Sequence, residues 1–160
     1  MSHTNSKVEI FTDGACKGNP GPGSWAAILR FGAHEKTLTG AEPATTNNRM
    51  EITAAIKALE ALKRSCSIRI ATDSKYLMLG ITEWLKNWKA RNWKTSQHRP
   101  VKNEDLWRKL DELNSKHDIE WIWVQGHFGH PENEQADQLA RNALREFLAS
   151  NKTGLTGNSN

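Results

Sequence analysis

The sequence has little sulfur: two cysteines, Cys16 and Cys66, in 160 residues. Two cysteines build no disulfide framework, and no Cys/His set has the spacing of a zinc site. A reducing compartment, the cytoplasm, is the expected location. No apolar run approaches the roughly 20 residues of a membrane-spanning helix. The polar start, Met1 to Lys7, lacks the apolar core of an export signal. Internal repeats and long linkers are also missing, and the length suits one domain with one hydrophobic core. A further absence is local: from Trp84 to Lys102 there is no Asp or Glu.

That acid-free stretch holds six cations, Lys86, Lys89, Arg91, Lys94, Arg99 and Lys102. The whole chain has 22 basic and 18 acidic residues, a net +4; without those six the balance is 16 against 18, a net −2. The positive charge is therefore a local feature. In Trp84, Lys86, Trp88, Lys89, Arg91, Trp93 and Lys94 it is interleaved with tryptophan. Cations neutralise phosphates and aromatic faces pack on sugars or bases, so the stretch reads as a nucleic-acid face. Trp84 suits a core position equally well.

Elements alternate along the chain. Val8, Ile10 and Thr12 alternate with Glu9 and Phe11 in a first strand that ends at Asp13-Gly14. The composition of Gly18 to Gly23 marks a turn. Trp25 to Phe31 and Lys36 to Thr39 give two more strands, and the short connections predict an antiparallel meander. Ile52, Ala55, Ile56, Leu59 and Leu62 form one apolar helical stripe, with Thr45 or Thr46 as N-cap. Ser67 to Thr72 is a fourth strand, ending at Asp73. Ser74 caps a helix running through Leu85, and Leu106 to Leu113 is another. Ile119 to Val124 is a fifth strand. Pro131 opens a last helix whose stripe is Ala136, Leu139, Ala140, Ala143 and Phe147. The pattern is α/β: one domain over 7–149, a meander followed by strands joined through helices and hence parallel. Residues 1–6 and 150–160 read as disordered tails.

Two strands end alike, in Thr12-Asp13-Gly14 and Thr72-Asp73-Ser74. Neighbouring parallel strands would bring both carboxylates to one sheet edge, where α/β folds bind ligands. Glu51 and Asp137 sit at the borders of apolar helical stripes and point partly toward the sheet. Converging carboxylates repel one another and lose hydration, a penalty that divalent metal relieves. An all-oxygen donor set suits Mg²⁺, with Mn²⁺ able to substitute. Two such ions about 4 Å apart form a known arrangement for phosphodiester hydrolysis.

Five segments together resemble the bacterial type 1 ribonuclease H family, in its order and at its spacing. They are Asp13-Gly14, Thr45 to Glu51, Thr72-Asp73-Ser74, Gly126 to Pro131, and Glu134 to Asp137. The resemblance runs from about Val8 to Ala149. It implies a ribonuclease H-like domain with a five-stranded mixed sheet, an antiparallel meander plus two parallel strands, flanked by helices. It implies a monomer that cuts the RNA strand of RNA–DNA hybrids with two Mg²⁺ ions, leaving 5′-phosphate and 3′-hydroxyl ends. Asp13, Glu51, Asp73 and Asp137 would be the catalytic metal ligands, and His127 would assist proton transfer or product release. Histidine titrates near neutral pH, and the glycines around His127 relax backbone restrictions. Cys16, Asn19, Asn47 and Asn48 match positions that touch the minor groove, where amides can read 2′-hydroxyls. Thr46 and Asn103 match a pocket for a DNA-strand phosphate, and the Trp84–Lys94 stretch matches a basic protrusion that contacts the DNA strand. Asn47 and Asn48 also suit helix caps, and Asn19 a turn.

Four positions depart from the family pattern. Gln125 replaces a common lysine before Gly-His, Lys75 a frequent glutamine after Asp-Ser, and Trp25-Ala26 a common Tyr-Gly. The first two bear on hybrid affinity or sequence preference, not on the four acids. Three other readings remain: a DNA-only nuclease of the transposase, integrase or resolvase kind, a hybrid-binding module with a dead site, and metal-free cleavage by His127 and His130.

Overall fold

The structure, a computed structural model, describes residues 7–125 and 130–158. Its elements are β1 (Val8–Cys16), β2 (Gly21–Phe31), β3 (His34–Thr45), α1 (Asn47–Glu60), β4 (Ser67–Thr72), α2 (Lys75–Leu79), a π-helical turn (Gly80–Trp84), α3 (Leu85–Ala90), α4 (Glu104–Lys116), β5 (Asp118–Trp123) and α5 (Pro131–Asn158). The five strands form one sheet in the order β3-β2-β1-β4-β5. β1–β2 and β2–β3 pair antiparallel; β1–β4 and β4–β5 pair parallel. This is the expected mixed sheet. Among the described residues no helix is long and apolar enough to cross a membrane.

Strand alternation divides the interior in two. Ile10, Ala27, Leu29, Ile68 and Ile70 face α1 and α4, together with Ile52, Ile56, Leu59, Trp107 and Leu110. Phe11, Ile28 and Ala71 face the other way and meet Ala136 of α5. The two alanines buried on α5, Ala136 and Ala140, are fully covered and let the helix lie close to the sheet.

Four elements differ from the sequence reading. β2 begins at Gly21, four residues before Trp25, because Gly21 and Gly23 pair with Thr45 and Glu42 of β3. The glycine-rich segment is thus half turn and half strand. β3 runs over His34–Thr45 rather than Lys36–Thr39; it is an edge strand, mostly exposed, with no apolar alternation to reveal its length. The helix expected through Leu85 is capped by the Ser74 side chain, which accepts from Leu77 N–H, but it widens into the π-turn at Gly80. There the indole of Trp107 lies where a β-carbon on residue 80 would sit. Only glycine lets α4 approach the α2–α3 segment this closely. α5 continues past Ala149 to Asn158.

Candidate active site

The parallel register of β1 and β4 sets Ile10 opposite Ile70 and Phe11 opposite Ala71. Carried two residues further, it brings Asp13 beside Asp73 at the carboxyl ends of both strands. By alternation the two acids share the side of Phe11 and Ala71, the side that α5 covers. Glu51 arrives from α1, whose N-cap is Thr46; the Thr46 hydroxyl accepts from Arg49 N–H. Gly14 makes this approach possible. A β-carbon there would lie 2.8 Å from Glu51 N and 2.9 Å from Met50 C, both backbone atoms with no room to yield. Asp13, Glu51 and Asp73 each offer a carboxylate oxygen, and these oxygens lie within 4.8 Å of one another.

Burial makes this cluster electrostatically costly. Asp13 is 3% and Glu51 5% exposed. Loss of hydration, then the charge of Asp73, then a hydrogen bond and repulsion from Asp137 push Asp13 up to about 9, against a slight pull down by Gly14 N–H. Asp13 therefore holds a proton at neutral pH without a cation, and that proton links it to Asp137. Glu51 is raised well above the ordinary range for the same reasons, burial first and then Asp13 and Asp73. One buried oxygen of Glu51, Oε1, has no hydrogen-bond partner among the described residues. Asp137 also pairs with Arg141 one turn along α5, at 3.0 Å. An orphaned carboxylate oxygen beside two more carboxylates fits a hard divalent cation and does not fit a soft metal.

The residues expected to hold a nucleic acid fall into three groups. Cys16, Asn19, Asn47 and Asn48 come together where β1 ends and α1 begins. The Cys16 thiol donates to the carbonyls of Gly21 and Thr45, both at 3.6 Å, and Asn47 N–H donates to Asn19 Oδ1 at 3.0 Å. Asn47 is exposed and Asn48 half-buried. Thr46 and Asn103 form the second group, bridged by Arg49. The Arg49 N–H donates to Thr46 Oγ1, and its guanidinium donates to Asn103 Oδ1 at 3.2 Å and to both oxygens of Asp105, at 3.0 and 2.8 Å. Asn103 precedes α4 in the left-handed region, φ 62°, which asparagine tolerates. Its Nδ2 donates to the Tyr76 hydroxyl, which also accepts from Trp107 Nε1.

The third group is the basic stretch, where the tryptophans and cations separate. Lys86, Arg91 and Lys94 are exposed. Lys89 is exposed too, but its ammonium pairs with Asp111 at 3.1 Å. Trp84 and Trp88 are half-buried and join Tyr76 and Trp107 in a chain of tilted rings, centroids 5.4–5.9 Å apart. Trp93 is 9% exposed within the main core, and the Arg108 guanidinium covers its ring at 4.7 Å. The structure therefore does not place Trp93 with the exposed cations; it anchors the segment that carries them. His127 lies outside the described residues, and His130 is exposed.

Two residues at the site escaped the sequence reading. Arg49 lies inside a motif singled out above, but only the tertiary meeting of α1 and α4 shows that it bridges Thr46 and Asn103. Trp123 is 42% exposed at the end of β5, and its indole N–H donates to the Asp73 carbonyl at 3.3 Å. Nothing in the local sequence marks either contact.

Comparison with known proteins agrees with this geometry. The RNase H family model matches residues 5–145. The chain is 57% identical to a ribonuclease H of Halorhodospira halophila over 149 residues, covering 93% of this chain and 100% of that one. It is 59% identical to a ribonuclease HI of Caulobacter vibrioides over 140 residues, covering 88% and 94%. The structure superimposes on that of LC9-RNase H1, described as a type 1 RNase H with the type 2 active-site motif, with a TM-score of 0.80 and 32% identity over 88% of this chain and 73% of that one. The order of motifs, the mixed sheet and these likenesses together place the chain in the ribonuclease H family, among the bacterial type 1 enzymes.

Proposed function

We propose that this ribonuclease H hydrolyses the RNA strand of RNA–DNA hybrids, with Asp13, Glu51, Asp73 and Asp137 holding two Mg²⁺ ions, and leaves 5′-phosphate and 3′-hydroxyl ends. The observation that carries this reading is the meeting of three carboxylates within 4.8 Å, one of them with a buried, unpartnered oxygen. Bound Mg²⁺ would supply a more acidic water and positive charge to stabilise a departing oxygen. Asp13, held protonated by burial and by Asp73, would ligate the ion as its anion, so loading would release protons and strengthen with pH. Mn²⁺, another oxygen-seeking ion, substitutes.

The remaining residues hold and orient the hybrid. Lys86, Arg91 and Lys94 neutralise DNA-strand phosphates, with Lys89 joining them where a phosphate displaces Asp111. Trp84 and Trp88 give that face a rigid aromatic floor, and Trp93 fixes it to the core. Thr46 and Asn103, with Arg49 between them, grip one DNA phosphate. Cys16, Asn19, Asn47 and Asn48 face the minor groove and read the 2′-hydroxyl. His127 takes the proton-transfer or product-release role, and Lys75 and Gln125 tune affinity. The domain spans 7–149 and works as a monomer in the cytoplasm.

The test is cleavage of an end-labelled RNA–DNA hybrid in Mg²⁺ and in EDTA, beside matched RNA–RNA and DNA–DNA duplexes. Only the RNA strand of the hybrid should be cut, and only with the metal. Asp13→Asn should abolish cutting and leave the fold intact. Cutting of the DNA duplex, activity in EDTA, or full activity of Asp13→Asn would each overturn the assignment.

A further inference from the structure

The catalytic reading gives no task to Asn133, although it is among the most deeply covered polar side chains, at 1% exposure. Its Nδ2 donates to the Ala71 carbonyl at 3.3 Å. Its Oδ1, equally buried, has no hydrogen-bond partner among the described residues. A half-satisfied amide in a core costs stability that a leucine of similar volume would not. Burial of this polar group therefore points to a geometric role.

The two ends of its hydrogen bond sit beside the acidic cluster. Ala71 lies two residues before Asp73 on β4. Asn133 lies four residues before Asp137 on α5, on the same helical face. On that face, one turn beyond Asp137, the Ala140 carbonyl accepts from the Ser24 hydroxyl at 2.5 Å. Ser24 belongs to β2 and is fully buried. β2 and β4 are the two neighbours of β1. Asp137 is thus bracketed along α5 by two buried hydrogen bonds, one to each strand flanking the strand that carries Asp13.

We infer that Asn133 is a positioning residue: its bond to Ala71 fixes the first turns of α5 over β4 and so sets Asp137 against Asp13 and Asp73. The amide touches no reacting atom and acts through Asp137. The inference rests on the metal-ligand reading of the cluster.

The variants are Asn133→Leu, which keeps the volume, and Asn133→Ala, with Gln135→Ala as a control at an exposed position of the same helix. Mg²⁺ is titrated onto each protein alone by NMR chemical shift, cleavage gives kcat and KM for the hybrid, and urea melts in EDTA give stability. The half-saturating Mg²⁺ concentration should rise about tenfold in Asn133→Leu, the usual consequence of losing a group that orients a ligand. At fixed Mg²⁺, kcat should fall with it, hybrid KM should stay within about twofold, and Gln135→Ala should match the wild type. A folded Asn133→Leu with unchanged Mg²⁺ affinity and kcat, differing only in its urea midpoint, would overturn the inference. If the wild type binds Mg²⁺ without cutting the hybrid, the ribonuclease reading fails, and the Mg²⁺ titration still decides the role of Asn133.

Discussion

Removing the buried Asp13 carboxylate should make the metal-free protein more stable. In the folded state Asp13 is pushed from 3.8 up to about 9, whereas in the unfolded chain it is an ordinary carboxylate. Between those values folding requires uptake of a proton, so the unfolded state binds fewer protons than the native one. Stability is then fully present below about pH 4 and declines by about 1.4 kcal/mol per pH unit as pH rises toward 9. At pH 7 the accumulated loss is on the order of 4 kcal/mol. Asn in place of Asp13 keeps the shape and needs no proton, so Asp13→Asn should gain about 2–4 kcal/mol at pH 7 in EDTA and show a flatter pH profile. The assay is urea unfolding at pH 5.5, 7 and 8.5, with EDTA and then with Mg²⁺. Magnesium should reverse the order, because it stabilises only the form that binds it. Equal stability of the two proteins at all three pH values in EDTA would refute the account of a strained acidic cluster.

Other outcomes follow from packing and charge. Gly14→Ala should abolish cleavage even where the protein folds, because the new methyl displaces the backbone that carries Glu51; activity and circular dichroism together check this. Gly80→Ala should lower stability in urea by about 1–3 kcal/mol, as overpacking against the Trp107 ring. Changing Lys86, Arg91 and Lys94 together to Ala should weaken hybrid binding and lower the slope of log affinity against log salt by up to about 0.9 for each lost phosphate contact. An unchanged slope would mean that the protrusion does not face the hybrid.

Much of this was legible in the sequence because the decisive residues sit at element ends. Asp13 and Asp73 close apolar strands, and Ser74 caps the helix that follows, so local pattern located them. Glu51 and Asp137 were legible as acids at the borders of apolar stripes. What stayed hidden depends on tertiary approach. β3 is an edge strand that buries too little to alternate, and Gly21–Gly23 looks like a turn until its partner strand is known. For Trp84 the sequence allowed a core position, but nothing in it set Trp93 apart from the exposed cations. Trp93 turns inward three residues past the end of α3, its N–H donating back to Trp88 O at 2.6 Å. Arg49, Trp123 and Asn133 owe their roles to neighbours between about 50 and 62 positions away, a separation no local periodicity records.

The sheet order also has a consequence in time. Three of the four acids belong to elements made early in the chain, and the fourth comes on α5, after β5. A nascent chain emerging from the ribosome can pair β1 with β4 before Asp137 and the Ser24–Ala140 bond exist. Domains mature as units, and distant contacts close late. On the proposed metal-ligand role of Asp137, a chain that stops before α5 lacks one of the four carboxylates and should not cut a hybrid.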